Sequence, residues 1–119
     1  MNIITLTRNN FDKTLEKSTI IVIDFWASWC GPCLSFKKVV DEVAQRYPEV
    51  QFGNVNIDVE KELAEEFHIQ SVPAVMILRD RVIVFAETGL LTVSTLSELV
   101  KQAKALNPQQ LHNARPDSA

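Results

Sequence analysis

The stretch IIVIDFWASWCGPC, residues 20–33, decides how this chain folds. It begins as a β-branched, nearly continuous apolar run from Thr19 to Ala27. A strand exposed on one face alternates, whereas a strand buried on both faces reads as a continuous run, so this is a central strand. One acid, Asp24, interrupts it. The run ends at Trp29 and at the chain's two cysteines, Cys30 and Cys33. Beyond them Phe36, Val39, Val40, Val43 and Tyr47 recur at helical spacing. Lys37, Lys38, Asp41, Glu42, Gln45 and Arg46 take the other face, and Pro48 stops the helix. Both thiols therefore stand where a buried strand turns into a helix.

Outward from this core the pattern repeats. IITLT (3–7) alternates as a short strand, and NNFDKTLEK (9–17) is a short helix with Phe11 and Leu15 four apart. VQFGNVNID (50–58) reads as a strand and VEKELAEEFH (59–68) as a helix with Leu63 and Phe67 inward. AVMIL (74–78) and VIVFA (82–86) are strands joined by RDR, a hairpin. Thr92 is the expected N-cap of a last helix carrying Leu96, Leu99, Val100, Ala103 and Leu106. The order β-α-β-α-β-α-β-β-α implies a parallel sheet covered on both faces, with one antiparallel hairpin added. One domain is expected over 1–106, followed by a flexible tail over 107–119 that has no periodicity.

The bulk numbers agree. A chain of 119 residues suits a single core, and 46% hydrophobic with 23% charged residues is globular rather than disordered. A net charge of −3 with no basic block argues against nucleic acid as a partner. The opening MNIITLTRNNFDK lacks the pattern of a signal peptide, and no apolar run approaches a membrane span. A soluble, cytoplasmic monomer is the expectation.

A thiol in the first turn of a helix faces unpaired backbone N–H groups and the positive end of the helix dipole. Both favour thiolate, the nucleophile of disulfide exchange. The C-x-x-C spacing supplies a second step: Cys30 attacks a disulfide in another protein, and Cys33, one turn along, releases the product. Pro32 suits the first turn because its missing N–H has no partner to lose there, and Gly31 lets the backbone turn beside the sulfurs. Two plainer readings stand beside this one. A structural disulfide closing so short a loop restricts the unfolded chain little. A zinc site needs about four ligands, and only His68 and His112 could join the thiols; His112 falls in the tail, and His68 reads as an ordinary, partly exposed residue.

Asp24 has Ile21, Val22, Ile23, Phe25 and Trp26 around it. They favour burial over the alternative, a strand-edge acid facing water. Burial raises a carboxyl's pKa by disfavouring its charge, so Asp24 can exchange a proton near neutral pH. Behind the thiols it can take the proton of Cys33.

DFWASWCGPC (24–33), VPAVMIL (72–78) and ETGLL (87–91) together resemble the thioredoxin family over roughly residues 3 to 106. The resemblance implies the thioredoxin fold, an α/β architecture with a five-stranded mixed sheet flanked by four helices. It implies a protein-disulfide reductase with Cys30 as attacking thiol, Cys33 as resolving thiol and Asp24 as buried acid. Trp29, Gly31, Pro32, Val72, Pro73 and Gly89 would form the rim that docks partner proteins, with the Val72–Pro73 bond cis. No bound cofactor or metal is implied. Electrons would come from NADPH through a thioredoxin reductase and pass to disulfide-containing client proteins. The alternatives are an oxidase or isomerase of the same fold, and a redox-inert binding module.

Four positions depart from the family pattern. Leu34 stands where a lysine often follows the second cysteine, which removes a cation from the thiols. Lys38 replaces a proline that often kinks the helix, so a straighter helix is expected. Asn54 replaces a lysine near the buried acid, so Asp24 should hold its proton more readily. The hairpin RDRV lacks the usual Asn-Gly.

Overall fold

The structure is a computed structural model that describes residues 3–107. The strands are β1 (Ile3–Thr5), β2 (Ile20–Trp26), β3 (Gln51–Asn56), β4 (Ala74–Arg79) and β5 (Val82–Thr88). The helices are α1 (Arg8–Lys17), α2 (Gly31–Arg46), α3 (Lys61–Glu66) and α4 (Val93–Ala105). The expected order of elements is the observed one. The tail expected over 107–119, with His112, lies outside the described residues apart from Asn107.

One five-stranded sheet runs β1-β3-β2-β4-β5. β1, β3 and β2 pair in parallel. β4 is antiparallel to both β2 and β5. The parallel part therefore stops at β2, and the hairpin forms two antiparallel pairings rather than the one expected. The sequence marks the turn between β4 and β5 but carries no mark of the direction in which β4 docks on β2.

β2 is continuously apolar because both of its faces are covered. Ile21, Ile23 and Phe25 join Leu6, Phe11, Val55, Leu63, Ala74, Met76 and Leu78 in one core. Val22, on the other face, joins Phe36, Val40 and Val43 of α2, Leu96 and Val100 of α4, and Phe52, Val75 and Ile77 of the sheet. Because side chains alternate along a strand, Asp24 lies on the Val22 face, under α2. Gly53 in β3 makes room for the fully buried Leu6, whose Cδ1 would lie 2.6 Å from a Cβ at that position.

Local signals set the ends of the helices. The Asn10 side chain accepts from the Thr7 N–H at 2.8 Å ahead of α1, and Thr92 caps α4 by accepting from the Thr95 N–H at 3.1 Å. α3 is shorter than its pattern, because His68 turns into the left-handed region at φ 55°. α2 continues unbroken across Lys38.

Candidate active site

The carboxyl end of β2 delivers both thiols. Cys30 is the N-cap of α2, with extended backbone (φ −94°, ψ 108°), and Pro32 sits in the first turn. Cys30 and Cys33 are joined as a disulfide, with their Cα atoms 5.3 Å apart. Both are buried, at 5% and 4% exposure, with Ala27 beside them and Trp26, Ile57 and Val72 packed against them. The Cys33 N–H donates to Cys30 Sγ at 3.1 Å. That is the N-cap interaction of an ordinary Ser or Asp with sulfur as the acceptor. A thiolate at Cys30 would accept the same N–H at the positive end of the helix.

Around the disulfide, Trp29 and Gly31 are exposed, as is Pro32. The Trp29 indole donates to Asp58 Oδ2 at 2.9 Å, which holds the exposed ring in place. The Val72–Pro73 peptide is cis. Val72 is half-buried against the sulfurs, and Pro73 is buried. Gly89 donates its N–H to the Pro73 carbonyl at 2.8 Å and adopts φ 93°, in the left-handed region where glycine is favoured. Nothing lies within 4 Å of where its Cβ would be, so its backbone faces open space.

Asp24 is 4% exposed. Its Oδ1 finds no hydrogen-bond donor among the described residues. Burial pushes its carboxyl up from 3.8 to about 7; the nearby Asp41 charge pushes the same way and Lys37 opposes both. Asn54 pairs with Asp24 across β2 and β3 but does not serve it. Its Oδ1 accepts from the Trp26 indole at 3.0 Å, and an indole N–H can only donate. The Asn54 amide nitrogen faces the Ile4 carbonyl at 3.5 Å. A cavity of about 110 Å³ lies beside the acid, lined by Asp24 and Cys33 together with Trp26, Leu34, Lys37 and Asp41, among others. Cys30 is not part of its wall, so the cavity tells the two sulfurs apart.

The structure therefore brings together Cys30, Cys33, Asp24, Val72, Pro73, Trp29, Gly31, Pro32 and Gly89 at one end of the sheet. In the sequence Lys37 and Asp41 fall on the polar face of α2, with no part in the site. Cys33, Lys37 and Asp41 recur at four-residue spacing, which puts them along one side of a helix; that signal was present in the sequence. The contact between Trp29 and Asp58 carried no such signal.

A helix-capping disulfide at the carboxyl end of the central strand of a mixed α/β sheet, with an acid buried behind it, defines a thiol–disulfide oxidoreductase. Comparison with known proteins gives the family. The Thioredoxin family model matches residues 2–102, and the chain belongs to that family. It is 40% identical over 111 residues to "Putative thioredoxin 2" of Streptomyces coelicolor, covering 93% of this chain and 83% of that one. It is 40% identical over 86 residues to "Thioredoxin 1" of Synechococcus elongatus, covering 71% and 80%. Among solved structures, a Fasciola hepatica thioredoxin superposes with a TM-score of 0.77 at 27% identity, over 84% of this chain and 97% of that one. A mutant thioredoxin from Halobacterium salinarum superposes with a TM-score of 0.82 at 23% identity, over 89% and 94%, a likeness of fold. The activity is protein-disulfide reduction through the Cys30–Cys33 pair. Among the described residues no group of three or more His, Cys, Asp or Glu could hold a metal. No helix among them is long and apolar enough to cross a membrane.

Proposed function

We propose that Cys30 is the attacking thiol, Cys33 the resolving thiol and Asp24 the proton acceptor for Cys33. The observation that carries this is the cavity shared by Asp24 and Cys33 but not Cys30. The Cys30 thiolate attacks a client disulfide; one client sulfur leaves and a mixed disulfide forms. Cys33 then gives its proton to the Asp24 carboxylate, and its sulfur attacks Cys30. The bond from Cys30 to the client breaks, and the client's second sulfur leaves as a thiolate. Two electrons have passed from the dithiol to the client, and the chain carries the Cys30–Cys33 disulfide.

The exposed Trp29, Gly31, Pro32 and Gly89, with Val72 and the Pro73 carbonyl beside them, form the docking surface for an extended client segment. The open space at Gly89 supports this reading, since a side chain there would stand where that segment lies. The thioredoxin domain covers 1–106. A thioredoxin reductase, drawing on NADPH, recharges the pair in the cytoplasm, and the chain serves electron transport and redox homeostasis there as a monomer. Family membership supports these assignments.

The test is a pair of single substitutions. Cys30→Ser abolishes reduction of a protein disulfide, and Cys33→Ser captures clients as stable mixed disulfides through Cys30. A Cys33→Ser protein that captures nothing would reverse or remove the assigned roles. The reduction potential separates a reductant from an oxidase or isomerase. Thioredoxins themselves set the reducing end of that scale at about −270 mV, with isomerase and oxidant relatives at about −180 and −120 mV.

A further inference from the structure

On the reading that Asp24 accepts the Cys33 proton, that proton has to leave again before the next cycle. An acid sealed in a core could not release it. The cavity supplies the way out. Asp24, Cys33 and Val40 are buried parts of its wall, while the exposed Ser28, Leu34 and Lys37 reach the surface. A single water needs roughly 10–15 Å³ of such space, so the cavity's volume of about 110 Å³ has room for several.

The charges along this route come from one element. Among the described residues, the charged side chains lining the cavity besides Asp24 are Lys37 and Asp41, one helical turn apart on α2. β3 contributes the neutral Asn54 and β1 contributes Ile3. β4 sets Val75 beside Asp24. α4 covers this face with Leu96 and Val100. Lys37 is exposed, so its ammonium remains hydrated, while Asp41 is half-buried. The Asn54 amide is turned away and supplies Asp24 with no donor. A cation is therefore still present near the acid, on the helix that carries the thiols rather than on β3.

We propose that Lys37 is a positioning residue of the redox cycle: from the cavity wall it holds Asp24 in the carboxylate form that accepts the Cys33 proton and lets that proton pass out through the cavity to solvent. Asp41 works against it, and the pair sets the pH at which Asp24 reloads. Lys37 acts through Asp24. Burial and Asp41 both favour the protonated acid. Without Lys37 the carboxyl stays protonated to higher pH, and resolution slows at neutral pH while attack by Cys30 is unaffected.

The experiment follows the Asp24 side-chain carboxyl carbon by NMR against pH in the full chain, together with the pH dependence of mixed-disulfide resolution. The parent is compared with Lys37→Gln, Lys37→Arg, Asp41→Asn and Asp24→Asn. Lys37→Gln raises the Asp24 midpoint by about 0.5 pH unit, about threefold in the ratio of carboxylate to acid. The inflection of the resolution rate moves up with it. Lys37→Arg restores both, and Asp41→Asn moves both down. If Asp24→Asn abolishes the inflection while Lys37→Gln leaves midpoint and inflection where they were, the role of Lys37 is overturned and the relay stands. If Asp24→Asn keeps the parent's pH profile, the relay and this proposal fall together. A merely structural effect of Lys37→Gln would lower stability without moving the midpoint, and that result also overturns the proposal.

Discussion

Asp24 in β2 and Arg79 at the end of β4 are both charged side chains in strands that are otherwise apolar, and these two strands pair with each other. Each keeps one buried atom without a hydrogen bond, Oδ1 of Asp24 and Nε of Arg79, but the rest of their surroundings differ. Arg79 lies at the end of the sheet away from the thiols. Its Nη1 donates to the Ala103 and Lys104 carbonyls at 2.8 and 2.9 Å, and to the Leu106 carbonyl. The last carbonyls of a helix have no partner within it, and a cation there also meets the negative end of the dipole. Arg79 fastens α4 to the sheet. Asp24 has an oxygen with no donor, a cavity beside it and a carboxyl pushed up to about 7. A buried charge that is partnered holds a fold together. One left without partners costs stability and stays free to exchange a proton.

Substitutions can break this contrast. The largest effect falls on the thiols, where Cys33→Ser ends turnover and leaves clients attached to Cys30, as read by gel mobility with and without reductant. Next is Asp24→Asn, which should slow resolution on the order of 10²-fold at pH 7 in rapid-mixing kinetics. It should also change stability in a pH-dependent way. Between 3.8 and about 7 the folded chain keeps a proton on Asp24 that the unfolded chain has released, so stability falls as pH rises through that window and is level above it. The loss reaches up to about 4 kcal/mol. Asp24→Asn removes it, so the variant's advantage in urea unfolding grows from pH 4 to pH 7 and then stops growing.

Arg79→Met is the opposite case. It should destabilise the chain by about 1–3 kcal/mol, because the last carbonyls of α4 lose their donor, and leave the kinetics of disulfide exchange unchanged. A change in the pH profile of resolution in this variant would dissolve the distinction between the two charges. The smallest effect is at the hairpin, where Asp80 and Arg81 hold φ 50° and 68°. Arg81→Gly relieves a left-handed side chain at about 1–2 kcal/mol, offset in part by the entropy of glycine. A net gain of roughly 0.5–1 kcal/mol, read as a higher Tm, is expected.

The same contrast explains what could be read from the sequence. The continuous run of β2, the helix stripes and the paired cysteines are written in local patterns, so the element order and the thiol site were legible. So was the burial of Asp24, from its apolar neighbours. The docking of β4 against β2 was not, because strand direction is set by packing between elements far apart in sequence. In the sequence Asn54 means the loss of a cation. The hydrogen bond from Trp26 and the placement of Lys37 arise only when β2, β3 and α2 meet. Arg79 looked like a turn residue, since nothing in RDR announces the end of a helix 24 residues away.

The central claim is that an unpartnered acid behind the disulfide takes the proton of the resolving thiol. It is tested most directly by the rate at which a preformed mixed disulfide on Cys30 resolves, measured from pH 5 to 9 in the parent and in Asp24→Asn. The account predicts an inflection near pH 7 in the parent that is absent from the variant. The same inflection in both proteins would contradict it.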